Sequence, residues 1–434
     1  MPAGRSATLP LPPRALFFAP VPIADPAIDR KNGNLYVWAN LLIYLSAPVR
    51  YIGIAQAALC DKLGASATVA NLPTAGYFFA CFGPIVLACL IPHRWDRRTV
   101  VWTAWGVALL SGAAAAALIL PIGNSLRVGI VVAQSLLLGL LNAVQQVFLF
   151  QCLGRGTTEK GRARAFKLAF SLGPLAAVAG SLAAQFILRQ GISMLVFPRD
   201  FAALYLIGSL CSVAMAGCCS RFELAPLADD PQPRFLSYLR ESFRRYLCSR
   251  DMIFLWLGYL FWYSAFLALP NLSLFARHAM GREPADFSGV MMAIQFGSKA
   301  LAGYGLGVLY QKCGVRAPLI VTVAALGVSS LWAWTVPGYA YLAAFAFMGA
   351  GQLGGSYFPN VLLSWSSPVN ATRDIAVLSL ATVAASPSPA VYGLATDRWG
   401  FSASFILGIG AALAALALVW WIPTRRGREA DAAA

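Results

Sequence analysis

The chain has 434 residues, 59% hydrophobic and only 12% charged, with a mean hydropathy of +0.67. That charged share is about half of the roughly 25% usual in soluble domains. The apolar stretches are longer than the roughly 20 residues a helix needs to cross a bilayer and run without alternation, so an all-α membrane protein is expected and a β-barrel is excluded. The net charge of +16 reads as a topology signal with some attraction to anionic lipid, and makes no case for nucleic acid.

In chain order, residues 1–34 are rich in Pro and Arg, and their short apolar piece, Ala15 to Ala24, is interrupted by Pro20 and Pro22. They make a poor signal peptide and read as a disordered cytoplasmic tail. Six spans are predicted near 35–59, 68–91, 99–120, 128–153, 166–189 and 200–219, forming an N-terminal bundle over 35–220. The segment 221–250 follows. Leu224 to Arg234 is a proline-bearing linker, after which Phe235, Leu239, Phe243 and Tyr246 recur at helical spacing against Arg240, Arg244 and Arg245. This pattern fits an amphipathic helix on the membrane surface, or a solvated connector packed on the bundle.

A second set of spans, near 252–275, 287–309, 317–336, 339–365, 374–395 and 401–422, forms a C-terminal bundle over 251–422, and 423–434 is a second tail. The expected architecture is therefore twelve transmembrane helices in two six-helix bundles. Pro337-Gly338 is so short a joint that spans nine and ten must form a tight hairpin. Taking the amino terminus as cytoplasmic puts 24 Lys and Arg side chains on inner segments and 7 on outer ones. Both termini are then cytoplasmic, in an inner or plasma membrane.

The chain repeats itself. Phe82-Gly83-Pro-Ile-Val-Leu87-Ala88 recurs as Phe296-Gly297-Ser-Lys-Ala-Leu301-Ala302 at an offset of 214. Pro174-Leu-Ala-Ala177-Val178-Ala-Gly180 recurs as Pro387-Ser-Pro-Ala390-Val391-Tyr-Gly393 at 213. Two matches at nearly one spacing, in spans two/eight and five/eleven, imply halves of like orientation related by an axis along the membrane normal.

Gly307-Val-Leu309-Tyr-Gln311-Lys312-Cys-Gly314-Val-Arg316 resembles the Gly-x-Leu-x-Asp-Arg-x-Gly-x-Arg motif of the major facilitator superfamily, with Gln311 in place of the acid. Pro92-His-Arg94-Trp-Asp96-Arg97-Arg98 keeps the basic cluster of the matching loop two/three but not its glycines, and Gly173-Pro174 partly resembles the Gly-Pro-x-x-Gly-Gly element of family antiporters, with Ala177 and Val178 replacing the last two glycines. The resemblance covers about residues 35–422. It implies alternating access about a central site lined by spans one, four, seven and ten, with Asp96, Arg97, Arg98, Lys312 and Arg316 at the inner gate.

The residues point independently to a site. Lys299 lies near the middle of the apolar run Met291 to Leu309 and Arg50 deep in Leu35 to Leu59, with no Asp or Glu in either. A cation at bilayer depth costs roughly 2.5–3.5 kcal/mol even on lenient scales, so an anionic solute is the simplest partner. Arg50 could instead snorkel outward or bond carbonyls freed near Pro48, and Lys299 could be neutral. Gln134 and Gln145, eleven residues apart, share a face of span four, as do Gln352 and Ser356 in span ten. Met292, Gln295 and Lys299 stack along span eight, and Trp256, Tyr259, Tyr263 and Phe266 make an aromatic stripe on span seven. Cation, amide and ring together suit an organic anion with an apolar body. For any one of these amides, and for Asn142 and Gln146, helix packing is the alternative role, and the stripe could equally be core or gate.

Acids fall in tails, loops and span ends, and His93 and His278 in loops, so exchange or facilitated movement of an anion is favoured over a proton or sodium pump. The nine cysteines form no disulfide framework, there is no metal-ligand spacing, and no cofactor is called for. The expected function is a secondary transporter of a small organic anion, acting as a monomer with membrane lipid as its other partner. An exporter or flippase of an anionic amphiphile is the alternative. A membrane-embedded transferase is disfavoured for want of an acid-rich metal motif or buried His, and no enzyme activity is expected.

Overall fold

The computed structural model describes residues 25–51, 53–84, 87, 91–189, 194–224, 240, 243–244, 246, 249–366 and 371–422. Among these, every regular element is helical. In chain order they are α1 (Pro26–Leu45), α2 (Ala47–Arg50), α3 (Ile54–Lys62), α4 (Ala67–Ala80), α5 (Asp96–Ile119), α6 (Asn124–Gly156), α7 (Glu159–Leu188), α8 (Arg199–Cys219) and α9 (Arg250–Phe266). Then follow α10 (Leu269–Leu274), α11 (Ala276–Met280), α12 (Ser288–Cys313), α13 (Arg316–Thr335), α14 (Ala343–Gly351), α15 (Gly354–Trp365), α16 (Ala371–Ala385), α17 (Ser388–Trp399) and α18 (Phe401–Trp420). The predicted surface helix over 235–246 and the tail 423–434 lie mostly or wholly outside the described residues.

Among the described residues eight stretches are long and apolar enough to cross a membrane: α5, α6, α7, α8, α9 with α10, α13, α16 with α17, and α18. Predicted spans one, two, eight and ten are not among them, and three have physical reasons. Span one breaks at Ser46 and again at Tyr51–Gly53, giving α1, α2 and α3. Span ten breaks at Gln352–Leu353 between α14 and α15. Span eight is one continuous helix, α12, diluted by Gln295, Ser298, Lys299, Gln311 and Lys312. In span two, α4 ends at Ala80, and Gly83, Pro84 and Leu87 are helical again after a turn at Cys81–Phe82. The chain also becomes helical earlier than expected. Asp25 caps α1 by accepting from Ala27 N–H at 2.7 Å, and Pro26 supplies the preset first helical residue, so residues 26–34 belong to a helix and not to a tail.

Packing divides by chain half. α5 lies along α6 and α8, and α1 along α7; α18 packs on α9 and α13, and α14 on α12 and α13. Two long seams join the halves, α7 against α12 and α4 against α17. α7, α12 and α17 carry copies of the repeated motifs, the remaining copy starts at Phe82 just after α4, and the 213- to 214-residue shift exchanges α4 with α12 and α7 with α17, so each seam maps onto the other.

The last glycine of each copy sits at a backbone crossing. A Cβ on Gly180 would fall on the Leu45 carbonyl oxygen, and one on Gly393 would come 2.6 Å from Ala67 O. Neither neighbour is a side chain that can turn away. Gly180→Val and Gly393→Val are each expected to lower stability by about 1–3 kcal/mol, read as a drop in melting temperature in detergent. Gly305→Val, with nothing within 4 Å of its Cβ, should not; equal melting of all three would contradict the close approach.

Candidate functional site

The breaks in α1–α3 build one wall of the site. Pro48 lies in the first turn of α2, and Gly53 adopts φ 154°, a conformation open to glycine. The freed backbone groups must be satisfied inside the membrane. Gln56 does this: its Nε2 donates to Val49 O at 3.1 Å and Pro48 O at 3.4 Å, and its Oε1 accepts from Gly53 N–H at 3.3 Å. The carbonyls near Pro48 therefore belong to Gln56, not to Arg50.

Arg50 is only 2% exposed. Its Nη2 donates to Asn142 Oδ1 at 2.5 Å and to Gln145 Oε1 at 2.6 Å, both on α6, while Nη1 reaches Met215 Sδ on α8 at 3.7 Å. Asn142 Nδ2 in turn donates to Tyr77 Oη at 3.5 Å. The guanidinium thus neither snorkels to lipid nor meets a carboxylate; two neutral amides hold it inside the first half. Arg50 Nε and Gln145 Nε2 remain buried donors without a partner among the described residues. Gln134 shares the α6 face with Gln145 but lies about 16 Å away along the helix. It is buried, touched by Ser135 Oγ at 3.4 Å, and its Nε2 is unpartnered.

Lys299 sits eleven residues into α12, about 16 Å from the helix start, and is half-buried. Among the described residues no hydrogen bond or ion pair reaches it. Leu301 and Tyr304, 80% and 82% exposed, mark the outer face of α12, and Lys299 projects roughly 140–160° away from both on the helix circumference. Gln295, buried one turn earlier, shares its side. Between them in sequence, Phe296 packs edge-on to Tyr51 at 5.2 Å and Tyr44 at 6.3 Å between ring centroids. Tyr51 follows Arg50, so this ring cluster ties the wall carrying one cation to the helix carrying the other.

The aromatic stripe on α9 divides. Trp256 Nε1 donates to Val377 O at 3.1 Å, and Tyr259 stacks on Trp262 and tilts against Phe358 at 4.9 Å, so both belong to the packing of the second half. Tyr263 and Phe266 instead meet Phe78 of α4, at 6.0 and 6.5 Å, where the two halves face each other. Gln352 occupies the break between α14 and α15 with Oε1 unpartnered. From it Ser356, Asn360 and Ser364 continue at intervals of four, all exposed, as a polar stripe along α15.

At the end carrying Asp397, the halves are bonded together: Asn71 Nδ2 donates to Asn271 Oδ1 at 2.6 Å and Arg277 to Asp61 at 2.8 Å, while within the second half Asn271 Nδ2 donates to Thr396 Oγ1 at 2.7 Å and Arg277 pairs with Glu283 at 2.6 Å. Burial pushes the Asp61 carboxyl up although Arg277 draws it down, while the hydrogen bond to Glu283 heads the influences that raise Arg277. The end carrying Asp96 has contacts within each half. Asp96 is fully buried and paired with Arg155 at 2.6 Å, Arg97 donates to Phe222 O at 3.0 Å, and Arg316 bonds Trp420 O and lies 5.1 Å over its ring. Arg98 and Lys312 are exposed. Among the described residues no cluster of His, Cys, Asp and Glu could hold a metal ion.

Gln56, Met215, Asn71, Asn271 and Thr396 were not singled out by sequence. Gln56 alone carried a local signal, a lone amide three residues after a glycine in an apolar run.

No known protein family matches the chain by sequence, and no curated protein does. Solved structures match throughout its length. A point mutant of the nucleoside transporter NupG aligns at TM-score 0.68 and 11% identity over 90% of this chain and 99% of that one. The POT family transporter PepTSo aligns at 0.68 and 10% over 91% and 97%. A POT family transporter in complex with a thioalcohol-conjugated peptide aligns at 0.64 and 14% over 90% and 95%. These relatives are transporters, and at such low identity what they share with this protein is architecture: the chain has the major facilitator superfamily fold.

Proposed function

We propose that the protein is a secondary transporter that moves a small organic anion across the membrane by alternating access, through exchange or facilitated passage. In this reading twelve spans form two six-helix bundles, 35–220 and 251–422, with both termini cytoplasmic. The Asp397 end is then the outer one. The cross-half bonds at that outer end support an inward-open arrangement.

The observation that carries the reading is Lys299, a cation at mid-bilayer depth on the inner side of α12 with no acceptor of its own among the described residues. Gln295 and Gln352 flank the path with amide groups, and Tyr263 supplies a ring where the halves meet. Arg50 stands behind Asn142 and Gln145 and contributes positive potential through a medium of low dielectric. Gln134 and Tyr259 support the fold around these groups. An empty carrier with an uncompensated cation returns reluctantly, which favours exchange. Asp96, Arg97, Arg98, Lys312 and Arg316 hold the cytoplasmic rim.

A melting-shift screen of the purified protein over anionic and neutral metabolites tests the reading, since a ligand that binds only the folded form raises its apparent stability. Anions should protect. Protection by neutral solutes alone would remove the anion from the proposal, and flipping of fluorescent lipids in proteoliposomes without solute uptake would replace it with an amphiphile.

A further inference from the structure

At the Asp397 end both seams are fastened by one device: a side chain near the end of a helix in one half caps the first turn of a helix in the other. In the last turn of α17, Asp397 Oδ1 accepts from Ala67 N–H at 2.9 Å, and Oδ2 from Thr68 N–H at 2.9 Å and Thr68 Oγ1 at 2.5 Å. These are opening amides of α4, which have no partner inside their own helix, and the helix dipole favours a carboxylate there. The cap residue within α4's own chain, Ser66, accepts from Val69 N–H at a long 3.4 Å, and its side chain also hydrogen-bonds Asp397.

On the other seam, near the end of α7, Gln185 Oε1 accepts from Val290 N–H in the first turn of α12 at 3.0 Å, and Gln185 Nε2 donates to Asp286 O. The 213-residue shift that relates the halves carries Asp397 to position 184, beside Gln185. The two caps are therefore counterparts, one charged and one neutral. Glycine lies next to each: a Cβ on Gly393 would meet Thr68 Cα at 2.6 Å, and one on Gly289 would meet Gln185 Cβ at 2.6 Å. Backbones brought that close let a short side chain span the seam.

We propose that Asp397 and Gln185 are paired latches whose release opens the outer end of the transport path, with Asp397 the stronger because its acceptor is charged. The Asn71–Asn271–Thr396 chain lies one helical turn deeper along the α4–α17 seam and closes behind it. Neither latch touches the solute. This assignment rests on the alternating-access reading above.

The test is a distance measurement by pulsed electron resonance on the full-length protein in lipid nanodiscs. Spin labels go at Ser125 and Tyr339, exposed residues at the Asp397 end of opposite halves, after replacement of native cysteines that take label. Asp397→Ala is expected to raise the ratio of long to short distances about threefold to thirtyfold, the ratio that loss of a helix cap carries. Thr68→Val, which removes the hydroxyl bond and keeps the two backbone amides, and Gln185→Ala should raise it less. Asp397→Asn, still an acceptor but uncharged, should fall between wild type and alanine, and melting curves for the set show that each variant is folded. An unchanged ratio in Asp397→Ala, in a protein whose wild-type form populates both distances, overturns the latch. A wild-type protein that keeps a single distance with and without anions overturns alternating access itself.

Discussion

Lys299→Gln is expected to cut anion uptake into proteoliposomes at least about a hundredfold while leaving the melting temperature close to that of the parent protein. Removing one partner of a desolvated charge pair typically costs 2–5 kcal/mol of binding, and about 2.8 kcal/mol is a hundredfold. Stability should survive because Lys299 gives up no hydrogen bond or ion pair among the described residues, and glutamine keeps most of its length against Gln295 and Met292. Binding should fall in parallel: anions that shift the melting of the parent should not shift that of the variant. Undiminished uptake by Lys299→Gln would move the anion elsewhere in the cavity.

Arg50→Leu should fail in the opposite way. Asn142 and Gln145 point their carbonyl oxygens at the guanidinium, and leucine leaves both acceptors buried without a donor. Each stranded acceptor costs about 1–3 kcal/mol, so a loss of about 2–6 kcal/mol and a clear fall in melting temperature are expected before any question of transport arises. Adding Asn142→Leu to Arg50→Leu should recover part of the loss, because an apolar set of similar volume strands fewer polar groups. An Arg50→Leu protein that melts like the parent but transports nothing would make Arg50 a direct ligand.

The two cations looked alike in sequence because each sits alone in an apolar run. What separates them is lateral: which helix lies opposite, and at which depth. Eleven-residue spacing put Gln134 and Gln145 on one face of α6, yet only Gln145 lies level with Arg50, and periodicity along one helix cannot report the level of another. The halves and their seams were more legible. Pro174 with Pro387, and Phe296 of the other pair, marked three of the four seam helices, while Phe82 falls just beyond α4; close backbone contact constrains residue type strongly enough to leave two copies in register. The helix interruptions at Ser46, Gly53 and Gln352 were hidden because apolar content continues through them and side chains such as Gln56 supply the bonds the backbone loses. Asp397 was set aside as a loop acid, and its partners are amides of a helix 330 positions earlier, which no local pattern could indicate.

The crossings at Gly289 and Gly393 also have a mechanical consequence. Two surfaces meeting backbone on backbone offer no rotamers to rearrange, so they act as a fulcrum and not as a cushion. With the fulcrum near one face of a hydrocarbon layer about 30 Å thick, a swing of about 10° parts the far face by about 5 Å, roughly the rise of a single helical turn. To admit a solute from the opposite side, the bearing point must itself migrate down the same pair of seams.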